Sequence, residues 1–284
     1  TVAKNAFKNH DKLVHRLKNG QSPKIGIVTA IDFEKYGVLA VTKIVQNIVD
    51  YVYKQGYGLY VRWAQEMLPM LNLKLYLRHK ERSKWVRIFM LRAAMFAFPD
   101  AEWFWYLDED SLIMELLNDV QQYILNPELL APIMLRDQLL VPPNGHIKTY
   151  KNSPADSVRL ILVQSDKKLE THLFFVKNDQ VGRAIVESWS NPLYLNYPSF
   201  PFGPDSALTH MLQWHPFVLS KTAVIPMRTI AAAHTDVELP PSNGKGGDHI
   251  HYYPGDLVAQ WTDCEGAQCE KNVETYFAKL QKST

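Results

Sequence analysis

The sequence has two cysteines, no long apolar run and almost no net charge, and each absence excludes a class of protein. Cys264 and Cys269 are too few for a fold built on disulfide bonds. The most apolar stretch, residues 85–107, is broken by charged residues and a proline, whereas a membrane span needs roughly 18 to 20 apolar residues. Lys and Arg number 31 against 29 Asp and Glu, so no basic field indicates a nucleic-acid partner.

Aromatic side chains are what the sequence has in excess. They make up 12% of the chain, while the apolar share of 46% and the charged share of 21% are ordinary for a globular protein. A chain of 284 residues holds one large α/β domain or two small ones. Because no repeat or linker divides the sequence, we expect one domain.

The apolar pattern at the start of the chain predicts a strand, a helix and a second strand. An apolar, β-branched run at 24–30 is typical of a buried strand, and residues 41–52 have helical spacing before a strand at 59–62. Such a βαβ unit predicts a parallel sheet with helices on its faces. Residues 1–23 are polar and basic, and we predict a stem helix there, followed by an α/β domain over 24–284.

Alternating elements are predicted along the rest of the chain. A helix at 83–96 precedes an apolar strand at 103–107, and the part from 226 to 269 is rich in loops. The remaining elements are predicted as helices at 115–125, 179–190 and 205–214 and as strands at 132–135, 160–164 and 172–177.

Three acids, Asp108, Glu109 and Asp110, directly follow the strand at 103–107. Open α/β sheets bind their ligands at this end of their strands. Two carboxylates at i and i+2 can face one hard divalent cation, which prefers oxygen ligands and neutralises a diphosphate leaving group. The alternatives are a solvated acidic turn and the Asp-x-Asp of haloacid-dehalogenase phosphatases, which lies on the first strand and continues with different residues.

The run WFWYLDEDSLI at 103–113 resembles the Asp-x-Asp signature of glycosyltransferase family 34. This family comprises fungal α-galactosyl- and α-1,6-mannosyltransferases and plant xyloglucan xylosyltransferases. Further blocks resemble the family in the same order, namely Lys84-Trp85 before an apolar helix, PDAEW at 99–103, FFVKN at 174–178, DSAL at 205–208, IPMR at 225–228 and GDLV at 255–258. The resemblance therefore covers roughly residues 24–269.

The resemblance implies a GT-A fold, a single Rossmann-like domain with a mostly parallel central sheet, and a retaining hexosyltransferase dependent on Mn²⁺ or another divalent cation. Its fungal mannosyltransferase branch implies GDP-mannose as donor, an oligomannose or other glycan acceptor, and an α-1,6 linkage in N-glycan mannan. UDP-galactose is the alternative donor. The resemblance also implies a type II Golgi protein, held in the lumen by an anchor preceding Thr1, and a hetero-oligomer with other glycosyltransferase subunits.

The resemblance also assigns expected roles to individual residues. Asp108 and Asp110 would bind the metal and the diphosphate, with Asp110 as the direct metal ligand. Thr29, at the end of the first strand, would border the nucleotide base. Glu109 lies on the other side of the extended chain and would face the ribose or solvent. Independently of the resemblance, the charged run at 80–84 predicts that Lys84 and Arg87 contact the diphosphate, the alternative being a solvated charged face.

One departure from the family pattern lies in the metal site. Family members carry a metal-binding His shortly after the Gly-Asp-aliphatic-Val block, where this chain has Gln260. A Gln amide oxygen is a weaker, neutral ligand for Mn²⁺ than imidazole. His251 or His249 in the neighbouring loop are candidate substitutes, and His234 is a more remote one.

The second departure is Pro204, where the family often has an acid before Gln-x-Ala-Leu. Asp205 beside it is predicted either to cap the helix that follows or to stabilise the oxocarbenium charge of the donor sugar. With two site positions altered, the alternative function is a weakly active or inactive subunit that supports a catalytic partner in a mannan polymerase complex.

The C-terminal part holds two further features that the resemblance helps to interpret. Cys264 and Cys269 match the family's paired C-terminal cysteines and would form a disulfide in an oxidising lumen, the alternative being two free thiols. Tyr252, Tyr253 and Trp261 are predicted to be exposed rings on which acceptor sugars stack.

Overall fold

A seven-stranded sheet organises the fold in the computed structural model, which describes residues 12–15, 21–71, 79–140, 146–237, 239, 248–262 and 264–283. In chain order its strands are β1 (Lys12–His15), β2 (Ile25–Ile31), β3 (Gly58–Trp63), β4 (Trp103–Leu107), β6 (Leu160–Gln164), β7 (Leu169–Lys177) and β8 (Thr222–Ile225). A second sheet contains β5 (Ser111–Ile113), β9 (Ala232–Ala233) and β10 (Val258–Gln260).

The large sheet has the strand order β1-β3-β2-β4-β7-β6-β8. The pairs β3/β2, β2/β4 and β6/β8 are parallel, and β1 and β7 run antiparallel to their neighbours. Five of the seven strands therefore point the same way, which confirms the predicted mostly parallel sheet. The parallel pairing of β2 with β4 brings their carboxyl ends to the same edge.

Helices cover both faces of this sheet. They are α1 (Val38–Gln55), α2 (Leu68–Leu71), α3 (His79–Ala97), α4 (Val120–Tyr123), α5 (Pro127–Ile133), α6 (Gln180–Trp189), α7 (Pro192–Leu195), α8 (Pro204–Trp214), α9 (Pro216–Ser220) and α10 (Ala267–Ser283). No helix in the described ranges has the length together with the apolar character that crossing a bilayer requires.

The β2-α1-β3 unit forms as the sequence predicts. Side chains of a strand alternate between its faces, and Ile27 of β2 belongs to one core cluster while Val28 belongs to the other. The α1 helix ends at Gly56, whose φ of 71° is the left-handed conformation that glycine adopts most easily. The small sheet joins the first cluster through Leu112 and Val258, so both sheets share a core.

Three predicted elements are wrong. Residues 12–15 form strand β1 against β3 instead of part of a stem helix, and most of the rest of 1–23 lies outside the described residues. The predicted helix at 115–125 is an α-helix over Val120–Tyr123 alone. The predicted strand at 132–135 falls at the end of α5, because Asn126 caps that helix by accepting from the Glu128 amide at 3.0 Å.

Candidate active site

A cavity of about 400 Å³ opens at the carboxyl ends of β2 and β4. The acids after β4 form one wall, and residues from the end of β2, from α3 and from the loop 264–266 complete it. The residues that line the cavity include Ala30, Asp32, Lys35, Lys84, Arg87, Asp108, Glu109, Asp110 and His172. Open α/β sheets bind ligands at this edge, so the cavity lies where the fold predicts a site.

Asp108 is held at the junction of two strands and a helix. Its backbone amide donates to the His172 carbonyl oxygen at 3.0 Å, which continues the antiparallel pairing of β4 with β7. Its Oδ2 lies 3.3 Å from Nη2 of Arg87, a buried residue of α3. The Asp108 carboxylate therefore has a fixed position on the cavity wall and a positive charge beside it.

Asp110 accepts from two side chains of the segment that follows β2. Its Oδ1 accepts from the Tyr36 hydroxyl at 2.5 Å, and its Oδ2 accepts from Nζ of Lys35 at 2.5 Å. Burial raises the pKa of Asp110, the charge of Asp108 adds to the effect, and Lys35 opposes it. Negative charge is thus in excess at this buried position, and the charge of a nearby cation offsets it.

Glu109 is buried and faces the end of β2 instead of solvent. Its Oε2 accepts from the backbone amide of Asp32 at 2.6 Å, and its side chain lines the cavity. Burial and the neighbouring charge of Asp110 raise the pKa of Glu109 well above its usual value. A contact with a nucleotide ribose stays a prediction for this residue.

A buried polar cluster lies directly behind the cavity wall. Nζ of Lys168 lies 2.5 Å from Oδ2 of Asp205 and 3.0 Å from Oε2 of Glu170, and Nδ1 of His172 lies 3.2 Å from the same Oε2. Arg87 joins this cluster to the cavity, since its Nη1 lies 3.7 Å from Oδ1 of Asp205. The cluster therefore connects α3, β7 and α8.

Asp205 is not the cap of its helix. The cap position of α8 is Gly203, with φ of 55°, and the helix begins at Pro204. The Asp205 carboxylate instead accepts from Lys168 and from the Thr171 hydroxyl. Burial works against its charged form, but Lys168, His172 and Arg87 outweigh it and lower the pKa of Asp205. Asp205 is 3% exposed and does not line the cavity, so it contacts the wall through Arg87.

The acids after β4 fit a divalent cation. Asp108 and Asp110 present carboxylate oxygens, the ligands that Mg²⁺ and Mn²⁺ prefer, to an open cavity. A second group, Glu170, His172 and Asp205, has ligand atoms within 4.8 Å of one another. There the ammonium of Lys168 already contacts both carboxylates, so the chain supplies the positive charge itself.

The other predicted metal ligands lie apart from the cavity lining. The Gln260 amide is buried and donates to the Ala231 carbonyl at 2.9 Å, and Nδ1 of His251 contacts the Asp248 carboxylate. Nδ1 of His234 lies 2.9 Å from the Tyr276 hydroxyl, and His249 is exposed. None of these four described side chains lines the cavity, and their metal binding stays a prediction.

Of the residues predicted to contact the nucleotide sugar, Lys84, Asp108 and Glu109 line the cavity and Thr29 does not. Lys84 lies on its wall beside Arg87. Thr29 is buried and lies off the wall, because its neighbour Ala30 takes the face of β2 that reaches the cavity. Asp32, the first acid after β2, lines the cavity where Thr29 was expected to act.

Sequence reasoning missed Lys35, Tyr36, Lys168 and His172. A usable signal existed for the first two, because a parallel β2/β4 pair places the segment after β2 beside the acids after β4. No comparable signal existed for Lys168 and His172. They reach the site through the antiparallel strand β7, whose place in the sheet is not evident from local sequence.

The structure tests the predictions for the cysteine pair and for Trp261. Cys264 and Cys269 form a disulfide bond, so the disulfide alternative is confirmed and the free-thiol alternative is wrong. The bond closes a loop that lines the cavity. Trp261 is buried, stacks on Tyr276 with ring centroids 5.5 Å apart, and donates to the Tyr36 hydroxyl. The prediction that Trp261 is exposed is therefore wrong.

Comparisons with known sequences identify the family of the chain. The profile of the galactosyl transferase GMA12/MNN10 family matches residues 21–271. The chain is 36% identical to the probable alpha-1,6-mannosyltransferase MNN11 of Saccharomyces cerevisiae, over 99% of this chain and 68% of that protein. It is 32% identical to an alpha-1,2-galactosyltransferase of Schizosaccharomyces pombe, over 63% of this chain and 46% of that protein. The chain thus spans about half to two thirds of the length of these relatives.

A solved structure shares the fold. The chain is similar to a glycosyltransferase involved in the glycosylation of the major capsid of PBCV-1, with a TM-score of 0.55 and 13% identity. The match covers 89% of this chain and 100% of that one. This likeness and the mixed sheet confirm the predicted GT-A fold.

Proposed function

The chain belongs to the galactosyl transferase GMA12/MNN10 family, and on that premise we propose that it transfers mannose from GDP-mannose to a glycan acceptor in α-1,6 linkage. The observation that carries the proposal is the acidic run Asp108 to Asp110 on a cavity of about 400 Å³. This volume lies within the usual range of small-ligand sites. The similarity to a probable alpha-1,6-mannosyltransferase supports mannose over galactose.

The cavity has the charge distribution that a diphosphate requires. Lys35, Lys84 and Arg87 bring three cationic side chains to its wall, and Asp108 and Asp110 would hold a divalent cation. When bound, such a cation acts as a Lewis acid that stabilises the diphosphate leaving group. The three cationic side chains would bind the diphosphate beside the two aspartates.

The cluster behind the wall keeps this arrangement in place. Arg87 touches Asp108 and also donates to the Thr171 hydroxyl at 2.9 Å. Asp205 stays ionised because Lys168, His172 and Arg87 lower its pKa. We therefore assign Asp205 to positioning Arg87 and Lys168, in place of direct contact with the donor sugar.

We further propose that the transfer retains the anomeric configuration. The bond between the anomeric carbon and the phosphate oxygen breaks, and a bond from the same carbon to the acceptor oxygen forms on the same face. The acceptor proton passes to the departing phosphate oxygen, so the step needs no protein base. His172 of the cavity wall, whose Nδ1 lies 3.2 Å from Oε2 of Glu170, takes no proton in this step.

A transfer assay with Mn²⁺, an oligomannose acceptor and either GDP-mannose or UDP-galactose tests the proposal. We expect mannose transfer, an α-1,6 linkage by NMR, and loss of turnover on removal of Mn²⁺. Asp110→Ala should reduce turnover at least a hundredfold, because charge stabilisation of a leaving group contributes on that scale, about 3 kcal/mol. Asp166→Ala, at an exposed acid outside the cavity, is the matched control. Transfer from UDP-galactose alone would contradict the assignment of donor.

A second candidate function is a donor-binding subunit that supports a catalytic partner in a hetero-oligomer. The position of Gln260 favours it, since its side-chain amide donates to the Ala231 carbonyl and lies off the cavity wall. Nucleotide binding without turnover by the isolated chain, and turnover when a partner subunit is added, would support this alternative.

We also propose that the protein works in the Golgi lumen, attached through an anchor that precedes Thr1. The disulfide between Cys264 and Cys269 supports an oxidising compartment. Protease protection of the tagged full-length protein in intact Golgi vesicles tests this location. Digestion without detergent would contradict it.

A further inference from the structure

Five rings form a continuous strip on the surface around α7 and α8. This aromatic strip consists of Tyr194, Tyr197, Phe200, His210 and Trp214. Ring centroids are 4.7 Å apart for Tyr197 and Phe200, 5.8 Å for Phe200 and His210, and 6.1 Å for His210 and Trp214. Tyr194 adjoins His210 at 5.9 Å. The rings thus follow one another without a gap.

The aromatic strip is fixed on its inner side and open on its outer side. Tyr194 and Phe200 pack against the second core cluster, whereas Tyr197 is 54% exposed and Trp214 is 70% exposed. Contiguous exposed apolar surface of this kind marks binding sites in globular proteins. The inner packing also limits the conformational entropy that binding would cost.

The aromatic strip carries no formal charge. Between Glu187 and Lys221 the sequence contains one Asp, Glu, Lys or Arg residue, the buried Asp205. The polar side chains between the rings are amides and hydroxyls, such as Asn196 and Ser199. This surface suits a neutral ligand that has both apolar faces and hydroxyl groups, and it is unsuited to nucleic acid or to anionic lipid.

A series of contacts connects the aromatic strip to the active-site cavity. The ring of Phe202, which follows Phe200, lies 5.6 Å from Nζ of Lys168. Lys168 contacts Glu170 at 3.0 Å, and Glu170 contacts His172 of the cavity wall at 3.2 Å. Phe202 lies just before α8, an 11-residue helix that carries His210 and Trp214 of the strip. A rise of about 1.5 Å per residue separates Trp214 from Asp205 by about 14 Å.

We propose that the aromatic strip binds a linear, neutral oligosaccharide, the acceptor chain whose end enters the cavity. The inference rests on the proposed function in one respect, that the acceptor is a glycan. Sugar rings would stack on Tyr197, Phe200 and Trp214, and the amides and hydroxyls between them would bond sugar hydroxyls. Affinity should therefore increase with the number of sugar units until the strip is filled.

Binding of α-1,6-linked mannobiose, mannotetraose and mannohexaose, measured calorimetrically without a donor, tests the inference. We expect the affinity of the wild-type chain to rise with length. Tyr197→Ala and Trp214→Ala should each weaken mannohexaose binding about three- to tenfold, the scale of one aromatic contact, and leave mannobiose binding nearly unchanged. Tyr123→Ala is the control, because Tyr123 is 58% exposed and lies outside the strip.

GDP binding and sedimentation, measured on the same proteins, distinguish a failure of this inference from a failure of the proposed function. Mannohexaose binding that is absent, independent of length or unaffected by both substitutions would overturn the inference. A change of association state with unchanged mannohexaose binding would also overturn it, because the strip would then be a protein interface. Failure of the wild-type chain to bind GDP would count against the proposed function alone, since the oligosaccharide series requires no donor.

Discussion

Nζ of Lys35 lies 2.5 Å from Oδ2 of Asp110, so the last acid of the Asp-x-Asp run carries a counterion supplied by the chain itself. The Tyr36 hydroxyl bonds the other carboxylate oxygen at 2.5 Å. A divalent cation that binds Asp110 through Oδ2 must therefore displace the ammonium group. Once displaced, Lys35 remains on the cavity wall, where it can bind the diphosphate of a donor.

Lys35→Met should strengthen Mn²⁺ binding in the absence of nucleotide. The substitution removes the competing positive charge and leaves Asp110 to the metal, and we expect about tenfold tighter binding, or 1.4 kcal/mol. Electron paramagnetic resonance of free Mn²⁺ measures this directly. GDP binding should weaken at the same time, because one cation is lost from the diphosphate region.

Lys43→Met is the control for this prediction, because Lys43 pairs with Glu274 and does not line the cavity. It should leave the affinity for Mn²⁺ unchanged. Equal or weaker Mn²⁺ binding by the Lys35 variant would show that Lys35 does not compete with the metal.

Glu109→Gln should stabilise the metal-free protein at neutral pH. Burial and the charge of Asp110 raise the pKa of Glu109, so the unfolded chain loses this proton at lower pH than the native protein does. Stability therefore falls as pH rises above the ordinary Glu value of about 4.3 towards the raised value. The variant should melt about 2–4 °C higher at pH 7, and its advantage should disappear below about pH 4.

Gln at position 109 keeps an oxygen for the Asp32 amide, so the substitution tests charge more than hydrogen bonding. Glu102→Gln, at an exposed acid, is the matched control. A lower melting temperature for the Glu109 variant at pH 7 would mean that its carboxylate is stabilising.

Asp205→Asn should destabilise the protein by about 2–4 kcal/mol, because it leaves the buried Arg87 and the partly buried Lys168 without the carboxylate that they share. The pKa of Asp205 is lowered, so its contribution to the free energy of unfolding is present above a pH equal to the ordinary Asp pKa of about 3.9. This contribution is lost as pH falls through the lowered value of the native state.

Urea unfolding between pH 7 and pH 3 measures the Asp205 effect. The difference from the wild type should be constant above about pH 5 and should narrow below pH 4. Asp166→Asn, at an exposed acid, should show no such difference. A difference in unfolding free energy that persists unchanged at low pH would contradict an ionised Asp205 in the native protein.

Replacing Cys264 and Cys269 together by serine should cost about 2 kcal/mol of stability, the loop-closure value for a separation of five residues. GDP binding should also weaken, since the loop 264–266 lines the cavity. Reductant should reproduce both effects in the wild type and have no effect on the double variant. If reductant did not change the stability of the wild type, the result would contradict a stabilising disulfide.

Local patterns predicted the parts of the fold that depend on short stretches of sequence. The β2-α1-β3 unit, β4 and the acids at its end follow from apolar periodicity, from Gly56 and from the polar residues after an apolar strand. The predicted strand at 132–135 failed because a cap at Asn126 and a proline at the next position start a helix there. In that segment an apolar run fits either element.

The sequence by itself determined the family resemblance, the mostly parallel sheet and the position of Asp108 and Asp110 at a strand end. Only the tertiary structure decided what surrounds these acids. Lys35 reaches Asp110 across 75 residues because β2 and β4 are parallel neighbours, and Asp205 reaches Arg87 because α8 packs against β7. Such contacts depend on strand order and register, which are set by the packing of the whole core and not by any local run of residues.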